Sequence, residues 1–251
     1  MCMEDYLMDK FTGAYNRLCY LLDMTGAELK NVRKAYSWTQ AQAAVQLGVT
    51  QAYLSMVERG KRTVSPELAS RTIEVFEVPA TALPLAEYRA CAHDAGYFQT
   101  MLGDLGYPGF AYLRGSTRLN PALLLMEALD CANLDPRVTE ALAWLPLAYP
   151  HLNWDWLMTN VKLRDRQNRL GFVVELARQA AEREGNSRLE VELAAHVARL
   201  ELSRLAKEDT LCRESMTRAE QTWLRKHRSK SAKHWNLLTD LTVEQLDHVA
   251  A

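Results

Sequence analysis

Apolar residues recur along the chain at spacings of three and four, which is the period of an amphipathic α-helix. The first segment with this pattern covers residues 4–23, and its apolar positions are Tyr6, Leu7, Phe11, Tyr15, Leu18 and Leu22. Thr25 and Glu28 then have the Thr-x-x-Glu spacing of a capping box, which satisfies free amides at a helix start. We therefore predict an N-terminal amphipathic helix within residues 1–24 and a second helix from Thr25 to about Tyr36.

Between residues 39 and 83 the predicted elements are short and sharply bounded. Gly48 and Gly60 each follow a helical pattern, and glycine tolerates the left-handed conformation found just past a helix end. Pro66 fits the first turn of a helix, where its missing N–H is not needed. The helices predicted from these signals cover residues 39–47, 50–59, 66–76 and 79–83. With the helix that starts at Thr25, they form a compact cluster of five short helices over residues 25–84.

Beyond Pro84 the pattern changes to longer helices. Asn120-Pro121 and Asp135-Pro136 each place a capping residue before a proline, so helices should begin at both places. Further helices are predicted over residues 85–93, 97–102 and 153–184, the last of them bent at Gly171 and ended by a turn at 185–187. The helix after that turn carries two apolar rows, which indicate contacts on two sides, as in a bundle. One row is Leu189, Leu193, Val197 and Leu200, and the other is Val191, Ala194, Ala198, Leu202 and Leu205.

The composition supports a fold made of helices. The chain has 38 Leu and 32 Ala against 15 Val and a single Ile. Leu and Ala favour helices whereas β-branched residues favour strands, so a β-sandwich or β-barrel is nearly excluded. A length of 251 residues leaves room for two domains. We predict an all-α protein in which the five-helix domain is followed by a larger, bundle-like helical domain over residues 85–251.

Charge and apolar patterning indicate a location for the protein. The chain is near neutral, with 30 Lys or Arg and 31 Asp or Glu, and no window approaches the roughly 18 uncharged apolar residues of a membrane span. Glu4, Asp5 and Asp9 occupy the region where a signal peptide would carry basic residues. The five cysteines are scattered, with no pair at metal-ligand or redox spacing. We expect a cytoplasmic protein with reduced thiols and no membrane contact.

Several separate sequence features coincide between residues 29 and 78. They are the Thr39-Gln40 helix start, the small Ala43-Ala44 pair, Gly48-Val49-Thr50 at a turn, and Glu58-Arg59-Gly60-Lys61 after the second helix. This stretch, about a fifth of the chain, resembles the helix-turn-helix of the Cro and XRE repressor family. The resemblance implies that the second helix, residues 51–59, enters the major groove of DNA. Leu54 and Val57 would hold that helix against the one before it.

The resemblance also implies which side chains contact DNA. Base contacts are expected from the exposed positions of the second helix, where the Gln51 amide can form two hydrogen bonds with adenine. The expected base-contacting residues are Gln51, Ala52, Tyr53, Ser55 and Met56. Gln40 matches the family position that bonds a backbone phosphate and supports the reading helix. The expected phosphate-contacting residues are Arg33, Lys34, Gln40, Thr50, Lys61, Arg62 and Arg71. The best-known family members carry more glutamines in this helix, so their operator sequences do not carry over.

The charge of the predicted DNA-binding domain is only modestly positive. Residues 25–84 contain seven Lys or Arg and five Asp or Glu. A single copy should therefore bind weakly, and the resemblance implies a homodimer on a pseudo-palindromic operator of double-stranded DNA. We expect a transcriptional regulator that represses by occupying this operator. Two alternatives stay open: an antitoxin whose C-terminal domain neutralises a toxin, and a regulator that senses a peptide or small-molecule effector.

Three other residue groups have both a functional and a plain structural interpretation. The cationic run Arg225-Lys226-His227-Arg228, with Lys230, Lys233 and His234, is either a second phosphate-binding patch or a solvated helix end. Trp144, Trp154 and Trp156 either line a ligand pocket or partner surface, or pack in the core. Residues 164–169 combine charged and amide groups, which indicates either a partner-binding face or a solvated helix face.

No residue pattern indicates catalysis. The six histidines lack His-Glu-x-x-His spacing and the cysteines lack Cys-x-x-Cys spacing, so no metal site is expected. The chain also lacks a Gly-x-Ser-x-Gly elbow and a glycine-rich phosphate loop. An enzyme would need a polar cluster assembled from residues distant in the sequence. We expect a protein without cofactors whose chemistry is recognition.

Overall fold

The computed structural model describes residues 24–85, 88–90, 93, 96–113 and 119–246. The helix predicted within residues 1–24 lies outside the described residues, apart from Met24. The chain divides into two compact units, Met1–Glu87 and Tyr88–Ala251, which we call unit 1 and unit 2. Each unit is described by itself below.

The described part of unit 1 contains five short helical segments, as the sequence predicts. They are α1 (Gly26–Ala35), α2 (Gln40–Leu47), α3 (Gln51–Glu58), α4 (Pro66–Val75) and a 3₁₀ helix (Ala80–Ala82). The predicted capping box is formed, since Thr25 N donates to Glu28 Oε2 and Glu28 N donates to Thr25 Oγ1. Gly48 and Gly60 have φ angles of 66° and 71°, the left-handed conformation expected after a helix.

The core of unit 1 fixes α3 from behind. Leu54 and Val57 point inward from α3 and are fully buried with Leu29, Leu47 and Phe76. The start of α1 lies against the α3 backbone, because a Cβ added to Gly26 would be 1.8 Å from the carbonyl oxygen of Val57. Only glycine fits at this approach, and α3 is therefore held by both side-chain and backbone packing.

The described part of unit 2 is mostly helical. Its α-helices are α5 (Tyr97–Asp104), α6 (Pro121–Asp130), α7 (Pro136–Ala141), α8 (Trp144–Ala148), α9 (Trp154–Leu163), α10 (Gln167–Arg183), α11 (Ser187–Glu201), α12 (Arg218–His227) and α13 (Lys230–His234). Two 3₁₀ helices cover Pro108–Leu113 and Val243–Gln245. The strands β1 (Asp209–Thr210) and β2 (Leu237–Leu238) pair in parallel, with Asp209 opposite Leu237. Helix α10 lies at the centre and packs against α8, α9, α11 and α13.

The predicted helix starts at two prolines are confirmed, whereas two other predicted helices are wrong. Asn120 and Asp135 cap α6 and α7 through their side-chain oxygens. The helix predicted over residues 85–93 is not formed at the positions that the structure describes there, which are 85, 88–90 and 93. The helix predicted over 153–184 is broken at residues 164–166, where Asp165 adopts a φ of 57°.

Gly171, where we expected a bend, lies inside α10 at a position where an aromatic ring packs against the helix. A Cβ at this position would be 2.3 Å from the ring of Trp235, which is fully buried. The glycine therefore allows the indole to lie directly against the helix backbone. The helix continues through Gly171, and the glycine marks a close approach of an aromatic ring to the helix backbone.

Residues 167–169 form an internal polar network, so both surface interpretations of this segment are wrong for them. Arg169 is fully buried and donates to the carboxylates of Asp209 and Glu214, and to the carbonyl oxygens of Leu129 and Cys131. Gln167 and Asn168 are also buried, and they bond the backbone of the segment after α11. Burial raises the pKa of the Cys212 thiol, which lies beside Arg169, to about 12.

Helix α11 has one buried apolar row and one exposed row. Leu193 and Leu200 are buried, whereas Val191 and Leu202 are 69% and 90% exposed. The apolar contact expected from the second row is therefore not made within the part of the chain that the structure describes. None of the described helices combines the length and apolar character needed to cross a membrane.

Candidate nucleic-acid interface

Helix α3 presents a polar and apolar strip on the side opposite its buried residues. Gln51, Ala52 and Met56 are exposed, and Tyr53 and Ser55 are partly exposed. Because an α-helix has 3.6 residues per turn, side chains four positions apart lie one above the other. Gln51 and Ser55 therefore share one row, and Ala52 and Met56 form the row beside it. The five residues predicted to contact bases thus lie on or at the edge of the accessible side of α3.

The first turn of α3 is organised by Thr50. Its Oγ1 accepts a hydrogen bond from Tyr53 N at 3.2 Å, which caps the helix. The hydroxyl proton of Thr50 is not used in this bond and can be donated to a phosphate oxygen. The positive end of the helix dipole adds to the attraction for an anion at this position.

The last turn of α3 is tied to α1 by a buried ion pair between Arg33 and Glu58. Arg33 Nε and Nη2 donate to the two carboxylate oxygens of Glu58 at 2.6 and 2.9 Å. A third donor, Nη1, bonds the carbonyl oxygen of Trp38. Arg33 is only 8% exposed. We therefore correct its predicted role, because a guanidinium that is buried and bonded on three nitrogens positions α3 and is not placed to contact a phosphate.

Gln40 belongs to the same network. Its Nε2 donates to Glu58 Oε2 at 2.8 Å, so that α1 and α2 both bond the end of α3. Burial raises the pKa of the Glu58 carboxyl, but the hydrogen bonds from Arg33 and Gln40 outweigh this effect and lower the pKa below its ordinary value. Gln40 remains partly exposed, and its Nε2 has a second N–H that this bond does not use and that can be donated to a phosphate oxygen.

Arg59 is a functional candidate that the sequence reasoning missed. It follows α3, is exposed, and donates from Nη2 to Ser55 Oγ at 2.7 Å. The position continues the row of Gln51 and Ser55 by one further helical turn. The signal was present in this spacing of four residues, which places a guanidinium at the end of the reading row.

The remaining predicted phosphate contacts are exposed cations. Lys34, Lys61 and Arg62 are exposed, and none has a carboxylate within ion-pair distance among the residues that the structure describes. Arg71 is also exposed, but its Nη1 donates to the carbonyl oxygen of Leu47 at the end of α2. A guanidinium has five N–H donors, so this bond leaves donors for a phosphate.

The arrangement can therefore read DNA without chemical change of the ligand. One short helix offers amide, hydroxyl, thioether and methyl groups, which match the hydrogen-bonding and methyl pattern of the major groove. Exposed cations flank it along the chain, and Glu58, which lies on the same helix, is neutralised by Arg33.

Comparison with known families identifies this region. Residues 29–83 match the family model of the helix-turn-helix. The match covers about a fifth of the chain and spans α2, α3 and α4 completely, so this part of unit 1 is a helix-turn-helix domain of the Cro and XRE type. Neither the curated proteins nor the solved structures gave a match to the chain.

Proposed function

We propose that the protein is a sequence-specific transcriptional regulator that acts as a dimeric repressor by occupying its operator. The observation that carries the proposal is α3, an exposed reading helix fixed from behind by Gly26 and by the buried pair of Arg33 and Glu58. A rigid helix of this kind loses little conformational freedom on binding DNA, which favours specific contacts.

Each exposed side chain of α3 has a chemical role in this proposal. The Gln51 amide donates to N7 and accepts from N6 of adenine, and the Ala52 and Met56 side chains contact a thymine methyl group. Arg59 exchanges its bond to Ser55 for a phosphate or a guanine edge. No bond in the DNA forms or breaks, so the protein acts by occupancy and not as an enzyme.

The small size of the interface supports the proposed dimer. A reading helix of eight residues contacts only a few base pairs, and residues 25–84 carry a small net positive charge. Two copies on half-sites about 34 Å apart would double both contributions. The proposed operator is therefore pseudo-palindromic, with its two-fold axis matching that of the dimer.

The ligand-sensing alternative loses part of its basis. A cleft near these tryptophans would favour it, but Trp144 and Trp154 are both buried and their rings contact different partners. Trp144 packs edge-on against Tyr107 and Tyr149, whereas Trp154 stacks on His196 with a centroid distance of 3.9 Å. These contacts support the core-packing interpretation, and no specific observation favours the toxin-binding alternative.

The proposal is tested by selecting duplexes from a random-sequence library with the full chain. Fluorescence anisotropy then compares the selected duplex with a scrambled one at several salt concentrations. We expect a palindromic consensus, a preference of roughly a thousandfold or more, and a steep loss of affinity with salt. Failure to enrich any sequence, or equal affinity for both duplexes, contradicts sequence-specific regulation. A consensus without two-fold symmetry contradicts the dimer.

A further inference from the structure

Charge is unevenly distributed along the segment that forms α12, α13 and the corner between them. Residues 88–251 contain 21 Lys or Arg and 21 Asp or Glu, so the unit has no net charge. Between Gln221 and Thr239, however, the chain carries five cations and no acidic residue. The cations are Arg225, Lys226, Arg228, Lys230 and Lys233. This segment therefore has a net positive charge, whereas the whole unit has none.

Carboxylates from other parts of the fold neutralise only part of this charge. Glu208 pairs with both Arg225 and Arg228, at 2.8 and 3.4 Å. These pairs fix the corner, and Arg228 also bonds the carbonyl oxygen of Leu237. In contrast, Lys226, Lys230 and Lys233 are exposed, and no carboxylate of the described chain lies within ion-pair distance of them. Three ammonium groups within eight residues are thus left to solvent.

Helix α12, which carries Lys226, also presents an exposed aromatic side chain. Trp223 is 52% exposed, and its indole stacks on the imidazole of His227 with centroids 4.3 Å apart and planes 19° from parallel. His227 is held in place by a hydrogen bond from Nδ1 to the carbonyl oxygen of Trp223. Lys226 follows Trp223 by three positions on α12, which makes the two side chains neighbours on the helix surface. The indole is therefore oriented in advance.

We propose that this corner binds single-stranded nucleic acid, with Lys226, Lys230 and Lys233 on the phosphodiester backbone and an unpaired base stacked on Trp223. Cations that follow a backbone, combined with an aromatic platform, are the recurring features of single-strand binding sites. Duplex DNA would contact only the cations, because its bases are already stacked on one another and are not available to the indole. A lone indole with three lysines spans a few nucleotides, so binding should be weak and strongly salt-dependent.

The test uses the full chain and two fluorescent probes, a twelve-residue oligothymidylate and a random-sequence duplex of equal length. The double variant Lys226→Gln with Lys230→Gln should bind the oligothymidylate about tenfold more weakly. Its salt slope should fall by about 1.4, because each phosphate that a lysine no longer neutralises lowers the slope by about 0.7. The matched control is Lys162→Gln with Arg188→Gln, which removes two other exposed cations of unit 2. Equal behaviour of the two double variants overturns the proposal.

A second variant tests the aromatic contact separately. Trp223→Ala should weaken oligothymidylate binding about tenfold, and Trp223→Phe should restore most of it, while the affinity for the duplex stays unchanged. Equal losses on both probes, or no loss on either, overturn base stacking. Polyglutamate is the competitor for a general polyanion surface. If it displaces the labelled probe as well as unlabelled oligothymidylate does, the proposal is also overturned. The preference for the selected duplex depends on Gln51 in unit 1, whereas oligothymidylate binding depends on unit 2. The proposed function and the single-strand site can therefore fail independently.

Discussion

Arg33 and Glu58, 25 positions apart in the sequence, form a buried two-point ion pair that joins α1 to the last turn of the reading helix. The Glu58 side chain is almost fully inaccessible, and Gln40 bonds the same carboxylate from α2. The orientation of α3 therefore depends on polar contacts as well as on apolar packing.

Removing Arg33 should destabilise unit 1 strongly. Arg33→Ala leaves the Glu58 carboxylate buried without its cation, which costs about 3 to 5 kcal/mol in comparable pairs. Amide hydrogen exchange of α1 and α3 in the full chain measures this destabilisation. The neighbouring variant Lys34→Ala, which removes an exposed cation, should leave exchange nearly unchanged. Similar protection in both variants would show that the ion pair contributes little.

The same pair should make unit 1 sensitive to acid. The folded-state pKa of Glu58 lies below its ordinary value near 4.5, so the stabilisation is complete above that pH. It is lost as the pH falls through the lowered folded-state pKa. Urea unfolding between pH 3 and 7 should give a smaller pH dependence for Glu58→Gln than for the wild-type chain. Parallel curves for the two proteins would exclude Glu58 as a source of the acid sensitivity.

Gln51 should determine sequence preference more than affinity for DNA in general. Gln51→Ala is expected to lose about 1 to 3 kcal/mol on the selected operator and little on a scrambled duplex. Anisotropy titrations with both duplexes measure the two losses. If the affinity falls equally on both, Gln51 does not read a base.

Lys61 and Arg62 should act on every sequence alike. Each of Lys61→Gln and Arg62→Gln should weaken binding to selected and scrambled duplexes by the same factor, and lower the salt slope by about 0.9. Salt titrations of Lys162→Gln provide the reference for removal of an unrelated exposed cation. A weakening confined to the selected duplex would assign the residue to base recognition instead.

Gly26 should tolerate no larger residue. Gly26→Ala places a methyl group against the carbonyl oxygen of Val57, and such overpacking typically costs about 1 to 3 kcal/mol. Because the contact involves the α3 backbone, operator binding should weaken as well. Gly60→Ala is the control, since no atom lies within 4 Å of its added Cβ and only the left-handed backbone resists the change. Equal operator affinity in the wild type and Gly26→Ala would show that α3 does not depend on this contact.

Local signals in the sequence predicted most of the described part of unit 1. The capping residues Thr25, Thr39 and Thr50 each accept a hydrogen bond from the amide three positions away. The role of Gly48 depends only on its own φ angle, so a short stretch of sequence is enough to predict these features. The partner of Arg33 could not be predicted in this way. It depends on how α1 and α3 cross, and the sequence shows Arg33 only as one cation among several.

Unit 2 was harder to predict because its decisive contacts join distant segments. The break at Asp165 has no proline or glycine to signal it, and the residues around it are compatible with a helix. Gly171 looked like a bend because the sequence does not show that Trp235 lies against it. The exposure of Trp223 could not be predicted either, since the sequence does not show how much of an indole a neighbouring helix covers.

The buried position of Arg169 has a consequence for the order in which the chain can fold during synthesis. Its bonding partners begin 40 residues before it, at Leu129, and end 45 residues after it, at Glu214. A nascent chain that stops after α11 holds the guanidinium without either carboxylate, and a buried cation without its anion is strongly unfavourable. The centre of unit 2 must therefore form late, after the ribosome has released residues up to Glu214, whereas unit 1 can complete its own core long before that point.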